Sequence, residues 1–387
     1  MHAVVILIIT SFFGCNADNI KSVVRGNVEF TANTFQELIK ISGNNNIIVS
    51  GLSAEIVLAL LANGAKGETQ KQLLNGLSLP NNIEDVNKAF TEMTYHLNSD
   101  TPDLKVLSAN KIYPSKDFPI KQSFKDIGAN IYSADVENLD FNQREKAAST
   151  INDWVAQKTN NKIQKLIDSK SLKVNTELIL VNALYYAGKF KHAFEKLETA
   201  NRLFHSSPTE SKKIPTMKTL AFTKYAYNDK LKAKFLELEF KGGNSSITFV
   251  LPDEINGLAD AEHNLKEYLA PQKMKYANVA INLPKFKIET EINFNPILHS
   301  FGITRIFKHG ADLSGIADGP LKVDSVKQKA YVKLDEDGVE AAAATAIGVM
   351  RPLLEVPEEI FNANHPFIFY ILHNNLLLFM GRFIQEV

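Results

Sequence analysis

The sequence predicts an α+β fold, and the order of the elements carries that prediction. Apolar residues at helical spacing dominate the first 166 residues, whereas short β-rich runs bounded by turn residues dominate the rest. Helices and strands do not alternate, which argues against a parallel sheet of βαβ units. With 387 residues, 45% hydrophobic and 22% charged, the chain has the composition of a folded globular protein.

Residues 1–17 have the pattern of a signal peptide. Residues 3–13 form an apolar run too short to span a bilayer, and small residues precede a cut after Ala17. The positive flank is weak, and the alternative is a buried N-terminal strand. Cleavage after Ala17 would remove Cys15, the single cysteine, so we expect a secreted protein without disulfides.

Helices are predicted by apolar stripes and by stop signals such as Asn63-Gly64. They cover, in order, residues 27–40, 52–62, 67–76, 84–98 and 146–166. The last of these places Ile151, Ile163 and Leu166 on one stripe. We therefore expect a long helix there with one buried face.

Strands are predicted at residues 46–49, 178–186, 235–240, 247–251, 279–283, 331–334, 367–372 and 376–383. Between two of them stands the only N-x-Ser/Thr sequon, Asn244-Ser245-Ser246, directly after a glycine-rich turn. We expect a glycan on Asn244 at the tip of a hairpin.

The charge balance and the missing motifs exclude several functions. Lys+Arg and Asp+Glu each number 43, so neither nucleic acid nor an anionic membrane surface is an expected partner. Common nucleophile, nucleotide and zinc motifs are absent, so we expect no enzyme, no metal and no cofactor. His309, Asp312 and Ser314 lie close in sequence, but they are interpreted as a turn with polar caps.

Several ordered segments resemble the serpin family of metastable protease inhibitors. They are residues 46–66, 151–163, 180–190, 283–286, 310–315, 336–345, 364–367 and 378–382. The resemblance implies three β-sheets, eight or nine helices and one domain over residues 18–387. It also implies an exposed reactive loop at about residues 338–359.

The family mechanism is a trap for a protease. The protease cuts the loop and forms an acyl-enzyme, and the N-terminal part of the loop then inserts into the main sheet, an established case of strand addition. The resemblance therefore implies a secreted suicide inhibitor of a serine or cysteine protease, acting as a monomer. The alternative is a non-inhibitory serpin that serves as a carrier, storage or binding protein.

The family's loop hinge corresponds here to Glu336, Gly338, Val339, Glu340, Ala341, Ala342, Ala343, Ala344 and Thr345. In a strand, residues 339, 341, 343, 345 and 347 would share one uncharged face that can be buried beneath the sheet. Glu340 would lie on the opposite face, where it can reach solvent or a partner. This pattern favours the inhibitor over the non-inhibitory alternative.

The cleaved bond stays open among four candidate residues, Met350, Arg351, Pro352 and Leu353. Family loop length, counted from Gly338, places the cut at Pro352. Arg351 would suit a trypsin-like pocket, but its following residue is proline, which most serine proteases cut poorly. Val349 before Met350 would also satisfy a papain-like cysteine protease.

A gate beneath the sheet opening is implied at Ser50, Ser53, Asn182 and Gln328. Three positions depart from the family pattern. Gln328 stands where a histidine is usual, Gly51 replaces a proline, and Phe190 replaces a tryptophan. Gln328 can still donate and accept hydrogen bonds, so the gate is expected to survive.

Overall fold

The computed structural model describes residues 17–340 and 356–386. Nine α-helices lie within these ranges: α1 Ala17–Ser42, α2 Gly51–Gly64, α3 Gly67–Gly76, α4 Ile83–Leu97, α5 Gln122–Ile131, α6 Arg144–Lys158, α7 Leu258–His263, α8 Leu265–Leu269 and α9 Phe294–Ser300. None of these described helices is long and apolar enough to cross a membrane. The expected signal peptide, with Cys15, lies outside the described residues apart from Ala17.

Sixteen strands are present in the same part of the chain. They are β1 Ile47–Val49, β2 Ser99–Asp100, β3 Leu104–Pro114, β4 Ala134–Val136, β5 Leu178–Lys189, β6 Ala200–His205, β7 Ser211–Asn228, β8 Ala233–Glu239, β9 Ser245–Pro252, β10 Lys275–Pro284, β11 Phe286–Asn293, β12 Ser325–Asp335, β13 Gly338–Val339, β14 Glu359–Asn362, β15 Phe367–His373 and β16 Leu376–Phe383. The predicted α+β class is confirmed.

The strands form two hydrogen-bonded sheets. One has seven strands in the order β11-β12-β13-β5-β3-β2, with β4 beside β3. The other has nine in the order β1-β16-β15-β9-β8-β7-β10-β14, with β6 beside β7. Strand β7 joins two parts of this larger sheet. Its residues 211–225 pair with β6 and then β10, and its last residues, 224–228, pair with β8. Two of the three expected sheets are thus joined through one long strand.

The seven-stranded sheet is covered on both faces. On one face lies the main core, which includes Leu180 and Leu184 of β5 and the apolar residues of α2. The other face carries Ile179, Val181 and Ala183 against α6 in a second cluster. Because successive strand residues point to opposite faces and both faces are covered, β5 is mostly apolar and is buried along almost its whole length.

The helix predicted at residues 146–166 is shorter than expected. It ends at Lys158, and Asn160 and Asn161 then have positive φ angles of 48° and 60°. Ile163 and Leu166 nevertheless join the cluster that contains Ile151. A tight turn brings them to the same surface, so the apolar stripe was real although the helix does not continue.

Candidate functional site

Three amide side chains form a row across the centre of the seven-stranded sheet. The ladder register places Asn110 of β3 opposite Asn182 of β5, and Asn182 opposite Gln328 of β12. Asn182 Nδ2 donates to Asn110 Oδ1 at 2.5 Å, and Gln328 Nε2 donates to Asn182 Oδ1 at 2.6 Å. All three residues are at most 2% exposed, so these bonds are shielded from water. We call Asn110, Asn182 and Gln328 the amide row.

The amide row is bound to the first turn of α2. Gln328 Oε1 accepts from the Ser50 amide at 3.0 Å, and its Nε2 donates to the Ser50 carbonyl at 2.8 Å. Asn182 Nδ2 donates to the Ser53 carbonyl at 2.7 Å and also contacts Ser53 Oγ. Ser50 caps the helix, since its Oγ accepts from the Ser53 amide at 3.3 Å.

The structure therefore brings together all four residues expected at the gate, and it adds Asn110. Nothing in the local sequence marked Asn110, because it lies in a strand that the sequence patterns did not predict. A buried polar group that loses its partner costs about 1–3 kcal/mol. The network therefore resists separation of β3, β5 and β12 at this level of the sheet.

Strands β5 and β12 separate beyond the amide row. They pair directly in parallel from Ile179 with Ser325 to Leu184 with Ala330. Past that point β13 lies between them and pairs antiparallel with both, with Val339 opposite Leu334 and Gly188. We call this open end the fork. The first residues of the expected reactive loop are thus already part of the sheet.

Gly338 and Val339 fit the fork closely. Val339 is fully buried and belongs to the main core, on the face expected for it. Gly338 has φ of +140°, and a Cβ atom there would lie 2.1 Å from the Gly188 carbonyl oxygen. Only glycine fits at this position, because both the backbone angle and the space exclude a side chain.

Glu336 fixes the turn that reverses β12 into β13. Its carboxylate accepts from Lys285 Nζ at 2.8 and 3.0 Å and from Thr199 Oγ1 at 2.8 Å, and the residue is 4% exposed. Burial opposes ionisation, but the hydrogen bonds from Lys285 and Thr199 outweigh it and lower the pKa of Glu336. The carboxylate is therefore held in its charged form at neutral pH.

Phe190 contacts the same turn through its backbone. Its amide donates to the Asp337 carbonyl at 2.9 Å. The ring is 1% exposed and stacks on Phe240 with 5.3 Å between centroids and 6° between planes. Phe194 packs beside it at 5.8 Å. Phenylalanine at this position therefore fills a buried aromatic site under the fork.

Glu340 lies on the face towards α6, opposite Val339. Its side chain is 3% exposed, and one carboxylate oxygen lies 2.9 Å from Lys162 Nζ. Burial and the neighbouring Glu340 carboxylate raise the pKa of the Tyr331 hydroxyl. In this conformation the carboxylate is enclosed by Lys162 and Tyr331, whereas the strand pattern expected it to face solvent or a partner. The φ angle of 50° at Glu340 takes the chain out of the ladder here.

The remaining loop residues fall outside the described part of the chain. These are the hinge residues Ala341, Ala342, Ala343, Ala344 and Thr345 and the cleavage candidates Met350, Arg351, Pro352 and Leu353. The described chain resumes at Val356 and enters β14, which pairs in parallel with β10. The two described stems of the loop are therefore attached to different sheets.

Gly51 explains one departure from the family pattern. A Cβ atom at this position would lie 2.0 Å from Thr31 Oγ1 of α1. Glycine thus allows α1 and α2 to approach closely, just beside the amide row. The amide row therefore lies next to a tight contact between two helices.

Asn244 lies in the exposed turn between β8 and β9, where a hairpin tip was expected. The turn borders a cavity of about 810 Å³. Two ion pairs line it, Lys191 with Glu239 and Lys224 with Glu237, at 2.8 and 2.9 Å. The lining also includes Lys241, so the cavity carries three lysines and two glutamates.

The stretch considered for catalysis has the geometry of a turn. Asp312 Oδ1 accepts from the amide and hydroxyl of Ser314, and the hydroxyl bond lowers the pKa of Asp312. His309 Nδ1 instead lies 3.8 Å from Glu177. Within residues 17–340 and 356–386, no group of three or more His, Cys, Asp or Glu side chains could hold a metal ion.

Comparison with known proteins identifies the relatives of this chain. The serpin (serine protease inhibitor) family model matches residues 25–386. Antichymotrypsin-2 of Bombyx mori is 34% identical over 372 residues, which cover 94% of this chain and 99% of the relative. Antitrypsin of Bombyx mori is 33% identical and covers 95% of both chains.

A solved structure supports the same conclusion. Serpin48 of the insect Tenebrio molitor is 34% identical, with a TM-score of 0.89 over 95% of this chain and 99% of that one. The nine described helices and the joined sheets are therefore those of the serpin fold, as the sequence resemblance predicted. The chain belongs to the serpin family.

Proposed function

We propose that this chain is a secreted suicide inhibitor that traps a serine protease, or a papain-like cysteine protease, as a covalent acyl-enzyme. Cleavage of the reactive loop at about residues 338–359 would release its N-terminal part to insert between β5 and β12. The inhibitor would act as a monomer, without a cofactor and without catalysis of its own. Related chains named antitrypsin and antichymotrypsin-2 support a protease as partner.

One observation carries this proposal, namely that insertion has already begun at the fork. Val339 occupies a strand position between β5 and β12 and is fully buried. Further insertion would break one ladder, between β5 and β12, and would form two, one on each side of the new strand. Each net ladder bond contributes about 0.5–1.5 kcal/mol, so the rearrangement favours the inserted state.

The gate lies in the part of the sheet that insertion must open. Asn182 and Gln328 face each other within the direct β5–β12 ladder. We propose that Ser50, Ser53, Asn182 and Gln328, with Asn110, hold this ladder closed until the loop is cut. Closure there would delay insertion in the uncleaved inhibitor.

The experiment is incubation with trypsin, chymotrypsin, elastase and a cathepsin-like protease. A denaturation-stable complex on a gel is the expected result, and the mass of the released C-terminal peptide would assign the cut among Met350, Arg351, Pro352 and Leu353. Clean cleavage by every protease tested, without any complex, would contradict the proposal.

A matched pair of variants tests insertion itself. In an inserted strand, Ala343 would share the face of Val339, which is buried in the core, whereas Ala344 would share the face of Glu340 beside the half-exposed Lys162. Ala343→Arg should convert the inhibitor into a substrate, because a charge would enter the core. Ala344→Arg should still form complexes. Equal inhibition by both variants would refute insertion.

Secretion and glycosylation are parts of the same proposal. Residues 1–17 would be removed as a signal peptide, and Asn244 would carry a glycan at the exposed turn. Mass analysis of protein from a secreting cell should give an N-terminus at residue 18 and a mass loss on treatment with an N-glycosidase. Intact residues 1–17 in the secreted protein would contradict the signal peptide.

A second candidate function is that of a small-molecule carrier, and the cavity of about 810 Å³ beside Asn244 favours it. Its volume is within the usual range for ligand pockets. The lining of paired lysines and glutamates would suit a polar, zwitterionic compound better than a lipid. Native mass spectrometry of the secreted protein would show such a compound bound, and failure to trap any protease would then favour this function.

A further inference from the structure

Beside the C-terminal stem of the reactive loop, the sheet presents an exposed apolar surface. Phe222 of β7, Tyr276 of β10 and Ile360 of β14 are 59%, 50% and 57% exposed. The Phe222 and Tyr276 rings stack at 5.5 Å between centroids with 23° between planes. Three large apolar side chains in water at one location are uncommon on a monomer and are typical of a binding surface.

The strand registers place these side chains on one face. Ala280 pairs with both Leu220 and Ile360, and Asn278 pairs with Phe222. Along β10 the residues of the other parity, such as Val279 and Ile281, are buried in the core. We call Leu220, Phe222, Tyr276, Ala280 and Ile360 the sheet patch. Its members come from three hydrogen-bonded strands, so the patch is a rigid surface.

A small aromatic cavity adjoins the sheet patch. It has a volume of about 240 Å³; Phe190, Phe194, Leu238, Phe222 and Tyr276 supply its apolar surface, and polar residues that include Lys191, His192 and Glu239 complete the lining. This volume suits one side chain of a partner, such as leucine, methionine or phenylalanine. Binding surfaces commonly combine such a pocket for one anchor with a surrounding apolar contact area.

We infer that the sheet patch and its cavity form a docking surface for the body of the target protease, which would place an apolar side chain from the rim of its substrate cleft into the cavity. This inference rests on the proposed function. Ile360 follows Leu353, the last cleavage candidate, by seven residues, which span at most about 23 Å of extended chain. A protease of about 230 residues has a radius of gyration of about 17 Å, which is comparable to that span. A protease bound to the loop would therefore lie within reach of this surface.

The described structure favours a protease over other occupants because of the position of the surface. Strand β14 carries Ile360 and is the direct continuation of the reactive loop into the sheet. Phe190 lines the cavity and also donates its amide to Asp337 at the fork. The surface thus lies between the two stems of the loop that the protease would hold.

The test compares rates of complex formation with a protease that the native inhibitor traps. Phe222→Thr and Ile360→Thr, singly and together, remove apolar contacts and keep residues that strands accommodate. The control is Tyr95→Thr on α4, which removes a side chain that is 80% exposed elsewhere. We expect the double variant to associate at least tenfold more slowly, Phe222→Thr at least threefold more slowly, and Tyr95→Thr within twofold of the native rate. The stoichiometry of inhibition should not change.

Three results would overturn the inference. The first is a double variant within twofold of the native rate. The second is an effect confined to Ile360→Thr, with Phe222→Thr at the native rate, which would assign the loss to the loop and not to the surface. The third is a dimer in sedimentation that Phe222→Thr dissociates, which would assign the surface to a second copy. If the native protein traps no protease, the proposed function and this inference fail together. If only this inference is wrong, the native protein still traps its protease.

Discussion

The amide row and the fork both lie between β5 and β12, but different kinds of contact hold these two regions together. Where β5 and β12 pair directly, the neutral amide row is buried and bound to α2. At the fork, ion pairs hold the structure, namely Glu336 with Lys285, Asp337 with Lys196 and Glu340 with Lys162. The carboxylates of these pairs are largely buried but their lysines are partly exposed, so salt and water weaken the ion pairs more than they weaken the amide row. A loop that inserts as proposed would therefore meet its main resistance at the amide row.

The largest expected effect comes from Asn182→Ala, which removes the centre of the amide row. Gln328 Nε2, Asn110 Oδ1 and the Ser53 carbonyl would each lose a partner in a buried site. We expect the free energy of the first unfolding transition in urea to fall by about 3–5 kcal/mol. The exposed Asn201→Ala on β6 is the matched control and should lie within about 0.5 kcal/mol of the native protein. Equal stabilities would mean that the amide row does not close the sheet.

Glu55→Gln tests the helix to which the amide row is bound. Glu55 of α2 is fully buried, and burial raises its pKa to about 8 despite a hydrogen bond from Asn27. The folded state therefore keeps a proton that the unfolded chain releases above about pH 4.5, so stability falls as pH rises from about 4.5 to 8. Glutamine should remove this slope and stabilise the protein by about 2–4 kcal/mol at pH 8. Parallel stability curves for both proteins from pH 5 to 8 would contradict the prediction.

Glu336→Gln at the fork should show the opposite dependence on pH. The folded-state pKa of Glu336 is lowered, so its contribution is present above the unfolded pKa and is lost as pH falls through the folded value. We expect a loss of about 1–2 kcal/mol at pH 7 that disappears as the pH falls below the unfolded value of 4.5 and through the lowered folded pKa. Hydrogen exchange at the Phe194 amide, which donates to the Glu336 carbonyl, reports the change locally. The exposed Glu195→Gln should leave that amide unaffected.

The smallest effect is expected from Lys162→Met, which leaves the Glu340 carboxylate without its cation. An unpaired buried charge favours departure of the hinge from its present position. Conversion to the loop-inserted form without protease, followed on native gels at elevated temperature, should become about threefold to tenfold faster, or about 0.7–1.4 kcal/mol in barrier height. Lys165→Met, which removes a more exposed lysine paired with Asp168, is the control. An unchanged rate would show that Lys162 does not restrain the hinge.

Local sequence patterns predicted the helices and strands whose apolar residues are regularly spaced and whose ends are marked by turn residues. Helix α2 was visible because thirteen of its fourteen residues are buried and a glycine ends it. Strand β3 was missed because Lys105, Asn110 and Lys111 interrupt its apolar pattern. Lys111 is nevertheless nearly buried, since it pairs with Glu137 and lies over Tyr113. Only the folded neighbours could reveal that such a charge is tolerated in a strand.

The site was predicted only as far as the family resemblance extended. Ser50, Asn182 and Gln328 are separated by more than a hundred residues each, so no spacing rule could bring them together. Asn110 lies in none of the segments that resemble the serpin family, and only the ladder register places it in the amide row. The Glu340–Lys162 pair was missed for another reason, because strand parity gives the face of a residue but not what covers that face.

The position of β15 and β16 has a consequence for synthesis of the chain. These strands lie inside the nine-stranded sheet, between β1 near the N-terminus and β9. A nascent chain emerges from the ribosome N-terminus first, so this sheet keeps a gap until residues beyond 366 are released. Until then the edges of β1 and β9 that will pair with β16 and β15 expose unpaired backbone groups. We therefore expect this sheet to be completed only after β15 and β16 are synthesised, and a chain stalled before β15 should be recognised by chaperones and not reach a native state.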